Sequence, residues 1–260
     1  MAPRVIGYLA RAAIVGALSG SVWLLSALAA SPSLESPSSL APFTPDSVTA
    51  WRFVGIPKAS VSLPPTQFDV LQEDGEFALR IQTHASYGTW VHDLREVPAG
   101  TLRWRWRLDE PLKGGNTAPD LLTKAGDDAA LKVCVMFNHD LQRVPFWERT
   151  TLRVARSVSG EDLPAATLCY VWDQTYAVGQ IGRNPYSARV RFMVLRGPES
   201  PLQVWQSEQR DVGADFKQLF ADEHPVTESA PTLKAIVVGA DSDNTQSTSL
   251  GWLKSIALGR

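Results

Sequence analysis

The sequence lacks the short motifs of several common catalytic sites. It contains no GxSxG nucleophile elbow, no HExxH zinc helix and no glycine-rich phosphate loop. Its four histidines are scattered along the chain without paired spacing, so they indicate neither a metal ligand set nor a general base. These absences favour a binding or structural protein, while a pair of acids distant in sequence stays open as a catalytic alternative.

The chain also has few cysteines and little net charge. Its two cysteines, Cys134 and Cys169, allow a single intrachain disulfide, and neither forms a CxxC pair or lies at metal-ligand spacing from a histidine. A formal net charge of -2 gives no reason to expect nucleic acid as a partner. Tryptophan, in contrast, is abundant. Its nine residues serve either as core side chains, which is the favoured interpretation, or as platforms for sugars.

The N-terminus has the layout of an export signal. Met1–Arg11 carries two arginines and no acid, and Ala12–Ala30 has no charge and contains the small-x-small pattern Ala27-Leu28-Ala29. We therefore predict that residues 1–30 are a signal peptide, with cleavage favoured, or an uncleaved N-terminal membrane anchor. The rest of the chain is then exported to the periplasm or the extracellular space, and it contacts the inner membrane only through an uncleaved segment.

The remaining chain divides into a linker and one domain. Residues 31–48 are rich in serine and proline and predict a linker outside the core. Residues 49–260 show no internal boundary and predict a single domain. Because an exported domain lies in an oxidising compartment, a Cys134–Cys169 disulfide is permitted if the two strands are neighbours.

Alternating polar and apolar residues predict strands through most of this domain. Thr101–Leu108 is the clearest case, because its leucines and tryptophans point to one face and its arginines to the other. The Asp74-Gly75 turn predicts a hairpin, and Gly213–Phe220 is the one helix candidate. A loop is expected at Asn138–Trp147 and a short strand at Thr151–Ala155. With roughly ten to twelve short strands, the predicted fold is all-β, a jelly-roll-like antiparallel β-sandwich with one short helix.

Two aspartate-rich turns lie at strand ends, where binding sites are often built. Asp127 and Asp128 precede a strand that ends at Phe137, and Asp241-Ser-Asp-Asn-Thr245 follows the strand Leu233–Gly239. Neighbouring strand residues point to opposite faces, so at most one of the first two aspartates is expected to face a ligand. Either turn can instead be held by local hydrogen bonds from backbone amides to aspartate, without any ligand.

The second of these turns has the oxygen spacing of a hard-cation site. Asp241 and Asp243 offer alternating carboxylates that suit calcium, although the glycine and the distant glutamate of an EF-hand loop are absent. A polar hairpin turn without a metal is the alternative. The sequence suggests no cofactor other than calcium.

Further ligand-binding candidates come from other strand ends and faces. Trp172 and Asp173 end a strand, where a ring beside a carboxylate suits a sugar, although core packing is the favoured interpretation of Trp172. Arg103 and Arg105 belong either to a solvated sheet face or to a groove opposite the aspartates. The predicted ligand-binding set is Lys124, Asp127, Asp128, Trp172, Asp173, Arg103, Arg105, Asp243, Asn244 and Thr245.

Four stretches together resemble a bacterial family of exported proteins of unknown function. They are Leu102-Arg-Trp-Arg-Trp-Arg107, Gly126-Asp-Asp-Ala129, Leu168-Cys-Tyr-Val-Trp172 and Asp241-Ser-Asp-Asn-Thr245. This resemblance covers most of residues 50–258 and implies no established activity. The C-terminal part is similar to jelly-roll carbohydrate-binding modules, in which an aspartate of the last strand often helps to hold calcium. Lys254 stands near that position here, which argues against calcium there.

Three functions follow as hypotheses. The leading one is non-catalytic binding of carbohydrate or another cell-envelope ligand, because the sandwich pattern and the export signal occur without catalytic motifs. The alternatives are a glycan hydrolase or lyase that uses acids of the aspartate-rich turns, and a structural or interaction protein of the envelope. The fold alone does not choose among them.

Overall fold

Two β-sheets form the fold of the residues that the computed structural model describes, which are 40–55, 63–159 and 162–259. These residues belong to one compact unit, Glu35–Arg260. The predicted signal or anchor segment at residues 1–30 lies outside the described residues, as does the first part of the predicted linker. Within the described ranges, no helix is long and apolar enough to cross a membrane.

Twelve strands, numbered in chain order, make up the two sheets of the described chain. The seven-stranded sheet has the spatial order β1 (Arg52–Val54), β4 (Tyr87–Val97), β11 (Leu233–Asp241), β6 (Leu131–Phe137), β7 (Ala166–Trp172), β9 (Val190–Arg196) and β8 (Ile181–Arg183). The five-stranded sheet has the order β10 (Gln206–Asp211), β5 (Thr101–Lys113), β12 (Thr248–Gly259), β3 (Glu76–His84) and β2 (Gln67–Glu73). The predicted all-β sandwich is therefore confirmed, and β2 and β3 form the hairpin predicted at Asp74-Gly75.

Aromatic side chains fill the space between the sheets. The inward residues of β5 are buried, as the alternation of this strand predicts, and its arginines lie on the opposite face. The ring of Trp104 lies 5.3 Å from that of Tyr170, and the ring of Trp106 lies 5.6 Å from that of Trp172. Each contact joins the five-stranded sheet to β7 of the seven-stranded sheet. Burial of these large rings is the main hydrophobic stabilisation between the sheets.

Two helices accompany the strands in the described chain, where one was predicted. The predicted helix is confirmed as α2 (Val212–Leu219), and Asp211 caps it by accepting hydrogen bonds from the amides of Gly213 and Ala214. The second helix, α1 (Phe146–Ser159), contradicts the loop and short strand expected there. It begins directly after Pro145, whose carbonyl accepts the first helical hydrogen bond, from the amide of Arg149.

Two further details depart from the sequence-based expectations. Strands β7 and β9 pair in parallel, so the sandwich is not antiparallel throughout. The predicted linker also ends earlier than residue 48, because Leu40 and Phe43 are buried in the main core and the Phe43 ring lies 4.9 Å from that of Trp51. Serine and proline content does not reveal two apolar anchors within such a segment.

A disulfide joins two neighbouring strands of the larger sheet. Cys134 of β6 and Cys169 of β7 stand directly opposite in the register, with their Cα atoms 4.0 Å apart. Both side chains point away from the main core, into a second apolar cluster on the outer face of this sheet. The bond closes a loop with a sequence separation of 35 residues that contains all of α1.

Loss of this disulfide is predicted to destabilise the protein by about 3–4 kcal/mol, because the unfolded chain regains the entropy of the closed loop. Guanidinium denaturation of the oxidised protein, the reduced protein and the Cys134→Ala/Cys169→Ala variant measures the change. The reduced protein and the double variant should unfold at similar denaturant concentrations, below that of the oxidised protein. Two free thiols in the native oxidised protein would contradict the pairing.

Candidate functional site

The two aspartate-rich turns meet because their strands are neighbours. Strand β6 begins just after the first turn, β11 ends at the second, and the two strands are hydrogen-bonded to each other in antiparallel register. The amide of Ala129 donates to Asp241 Oδ1 over 2.8 Å, and the amide of Asp241 donates to the carbonyl of Ala129 over 3.1 Å. We call Asp127, Asp128, Asp241 and Asp243 the acidic cluster.

Asp128 holds the second turn in shape. Its buried carboxylate accepts hydrogen bonds from the amide and the hydroxyl of Thr245, over 2.7 and 2.5 Å. The amide nitrogen of Asn244 donates to the same carboxylate over 3.2 Å. This is the turn-holding role that the sequence left open as an alternative to ligand binding, and it occupies the carboxylate oxygens of Asp128.

Asp241 forms a buried ion pair with Lys132, whose Nζ lies 2.5 Å from Asp241 Oδ2. Lys132 is the second residue of β6 and points to the outer face of the sheet, opposite to the core residue Val133. Burial lowers the pKa of Lys132, but the charge and hydrogen bond of Asp241, together with Tyr87 and Asp127, outweigh it and the pKa is raised overall. Burial raises the pKa of Asp241, and Lys132 offsets part of that rise.

The other two acids of the cluster are only partly compensated. Burial, followed by repulsion from Asp241, raises the pKa of Asp127 to about 6. Burial, Asp241 and Asp128 raise the pKa of Asp243 to about 6 as well. Asp127 accepts a hydrogen bond of 2.5 Å from the side-chain amide of Asn184. Asp243 Oδ1 is buried and has no hydrogen-bond partner among the described residues, so it is an unsatisfied acceptor within the cluster.

An exposed tyrosine forms the rim of this cluster. The side chain of Tyr186 is 57% exposed, and its hydroxyl lies 2.9 Å from both the carbonyl oxygen of Lys124 and Asn244 Oδ1. The ammonium group of Lys124 lies 5.3 Å from the centre of the ring. Burial and then the charges of Asp127 and Asp243 raise the pKa of Tyr186. The ring therefore presents an apolar surface beside open polar atoms.

Most of the predicted ligand-binding residues come together here. Lys124, Asp127, Asp128, Asn244 and Thr245 are joined by the contacts described above, and Asp243 lies among them. Sequence reasoning missed Tyr186, Asn184 and the role of Lys132. Tyr186 and Asn184 come from the segment between β8 and β9, and no motif or spacing connects that segment to the aspartates.

Four predicted residues lie elsewhere. Trp172 is buried between the sheets, so its ring is not available for stacking on a sugar. Asp173 holds a local turn by accepting hydrogen bonds from the amides of Thr175 and Tyr176. Arg103 and Arg105 lie on the outer face of the five-stranded sheet, whereas the acidic cluster lies at the neighbouring ends of β6 and β11 in the seven-stranded sheet. The predicted groove between these arginines and the aspartates therefore does not form.

The oxygen atoms of three acids are close enough to hold one cation. One carboxylate oxygen from each of Asp128, Asp241 and Asp243 lies within 4.8 Å of the others. Carboxylate oxygens suit calcium. However, Asp128 and Asp241 already accept strong hydrogen bonds or pair with Lys132, so only Asp243 offers an uncommitted oxygen. The calcium site thus stays a prediction. To bind the ion, Asp128 and Asp241 would have to replace their present hydrogen bonds and ion pair with contacts to calcium.

The fold and the cluster define an all-β sandwich with an acidic site at the neighbouring ends of β6 and β11. The chain belongs to the family described as "Protein of unknown function (DUF3047)", which matches residues 50–257. No curated protein is detectably similar in sequence. Among solved structures, the chain is similar to the xyloglucanase domain of NopAA, a type three effector from Sinorhizobium fredii, in complex with cellobiose. That likeness has a TM-score of 0.37 and 7% identity over 74% of this chain and 92% of that chain, and it supports no argument about function.

Replacing Asp243 with asparagine is predicted to stabilise the fold at neutral pH. With its pKa raised from 3.8 to about 6, Asp243 is protonated more readily in the folded state, so the folded state loses stability as pH rises through this range. Asparagine does not ionise, so the free energy of unfolding of Asp243→Asn should exceed that of the wild type by on the order of 1–2 kcal/mol above about pH 7. The two proteins should be equally stable near pH 4. Urea denaturation in chelator at both pH values measures this difference.

Asp74→Asn is the matched control, because Asp74 is exposed in the β2–β3 turn and has the positive φ that asparagine tolerates. It should change the pH dependence little. If Asp243→Asn raised the free energy of unfolding equally at pH 4 and at neutral pH, the stabilisation would not come from removing the carboxylate charge.

Calcium binding gives a separate test of the predicted cation site. If Asp243 and its neighbours bind calcium, about 5 mM calcium should raise the melting temperature of the wild type by a few degrees, because a ligand of the folded state alone stabilises it. The effect should disappear in Asp243→Asn and shrink below about pH 5, where protons compete. If calcium left the melting temperature unchanged at neutral pH, the prediction of a calcium site would be wrong.

Proposed function

We propose that the protein is a non-catalytic carbohydrate-binding protein whose ligand lies against Tyr186 and hydrogen-bonds to Asp243, Asp127 and Asn244. The observation that carries this proposal is the exposed ring of Tyr186 beside partly compensated acids. A sugar has an apolar face that packs on an aromatic ring and hydroxyl groups that donate to carboxylates.

The charge of the site limits the choice of sugar. The four carboxylates of the cluster are only partly compensated by two ammonium groups, that of Lys132 inside the cluster and that of Lys124 at its rim. Hydroxyl groups and amines can donate to these acids, whereas an acidic sugar would add a like charge. We therefore propose neutral or amino-bearing glycans as ligands rather than uronic acid polymers. The export predicted from the N-terminus would bring the protein to polysaccharides of the cell envelope or its surroundings.

Tyr186→Ala is predicted to weaken glycan binding by about tenfold, because the packing surface for the sugar ring is lost. Asp243→Asn should weaken it by a similar factor, since a charged acceptor becomes an amide. A glycan array containing envelope and plant polysaccharides identifies the ligand, and calorimetry with wild type and variants measures the affinity.

Phe77→Ala and Asp74→Asn are matched controls on the other sheet, where an exposed ring and an exposed acid lie near the β2–β3 turn. Both should bind as the wild type does. Binding to no glycan at all would count against the proposal. Binding that survives both Tyr186→Ala and Asp243→Asn would place the ligand elsewhere on the protein.

The raised pKa of Asp127 and Asp243, each about 6, supports a second candidate function. A carboxyl group with such a pKa can act as general acid near neutral pH, as a glycan hydrolase or lyase requires. Release of reducing ends or unsaturated products from polysaccharide pools would favour an enzyme if Asp243→Asn abolished it and Asp74→Asn did not. Binding without turnover would favour the first proposal.

A further inference from the structure

Helix α1 turns aromatic residues towards solvent. Trp147 is 78% exposed and Phe146 is 63% exposed, and their rings contact each other with centroids 5.5 Å apart. Val154 is 58% exposed and lies two turns after Trp147, on the same side of the helix. Burying such side chains is favourable and leaving them in water is not, so this face suits a partner that removes them from water.

The opposite side of α1 is tied to the sandwich by few contacts. Leu152 is its one buried residue among those whose burial is described, and it packs in a small cluster with Val144 and Ala165 that is separate from the main core. Glu148 forms an ion pair of 2.6 Å with the buried Arg189. The exposed face therefore cannot rotate inwards without losing Leu152 and the ion pair, so it stays directed to solvent.

Positive charge borders the exposed face. Arg153 is exposed and Arg149 is half-buried, and neither has an ion-pair partner among the residues that the structure describes. The single acid of the helix, Glu148, is neutralised by Arg189, while Arg156 has Asp162 at 3.5 Å. The free charge of α1 is thus carried by two arginines beside two aromatic rings and a valine.

We propose that α1 docks on the surface of an anionic phospholipid bilayer. Tryptophan and phenylalanine are suited to the boundary between headgroups and acyl chains, and arginine is suited to anionic headgroups. The aromatic residues and the arginines of α1 therefore match these two regions of one membrane surface. A groove on a protein partner would call for a continuous aliphatic stripe, but Thr150 and Thr151 lie between Trp147 and Val154. The threonines limit the helix to a shallow position among the headgroups.

Amide hydrogen exchange of the full chain tests this proposal. It reports on individual peptides, so membrane contact of α1 can be distinguished from any contact made by the N-terminal apolar segment. Vesicles of phosphatidylglycerol and phosphatidylcholine should slow exchange in peptides covering residues 146–159 by about fivefold, and phosphatidylcholine vesicles should not. Phe146→Ser/Trp147→Ser should abolish the slowing. Arg149→Gln/Arg153→Gln should lower the affinity of the protein for anionic vesicles by about fivefold per arginine. Added salt should lower this affinity further.

Leu202→Ser and Arg95→Gln are matched controls, because each removes an exposed apolar or basic side chain outside α1. Both should keep the slowing. Unchanged exchange in α1 with anionic vesicles would overturn the proposal, as would slowing that persists in Phe146→Ser/Trp147→Ser. Protection that appears without vesicles and grows with protein concentration would instead assign the face to a second copy of the chain.

Discussion

Strand β6 occupies a central position in the larger sheet, hydrogen-bonded to β11 on one side and to β7 on the other. Its register with β11 brings the two aspartate-rich turns together and sets Lys132 beside Asp241. Its register with β7 sets Cys134 opposite Cys169. If the register of β6 shifted by one residue, Lys132 would point into the core and Val133 outwards. Burying an unpaired ammonium group is too costly for this register to form. The ion pair therefore requires the same register as the core does.

This ion pair compensates only one of the four acids, so the site keeps an excess of negative charge. Lys132 compensates Asp241, and the turn around Thr245 compensates Asp128, but Asp127 and Asp243 keep a pKa near 6. An arrangement that destabilises the folded state at neutral pH is common where acids are held for a ligand, because the ligand supplies the missing donors. The rings of Trp104, Trp106 and their partners across the sheets provide the burial that offsets such a local cost.

How far the sequence predicts this structure depends on whether each signal is local. The period-two pattern of Thr101–Leu108 contains its own evidence, so β5 and its buried face could be predicted. Every residue of β7 is buried, so its pattern does not separate core residues from ligand-facing ones, and Trp172 stays a ligand candidate beside the favoured core interpretation until the fold is known. Helix α1 shows few buried residues, so its period was not visible. Tyr186 could not be assigned to the aspartates, because only the folded chain brings the two segments together.

The segment between β8 and β9 links the two proposed surfaces. Asn184 and Tyr186 contact the acidic cluster, and a few residues later Arg189 pairs with Glu148 of α1. Arg189 is also paired with Glu223, whose pKa is lowered to about 2 because the hydrogen bond from Arg189 and its other partners outweigh burial. An anchor of this kind holds one arrangement of the segment rather than two. Contact alone does not make allostery, which needs an element with two states. If both proposals hold, glycan and lipid are therefore expected to bind independently, with the segment between β8 and β9 as a support common to both sites.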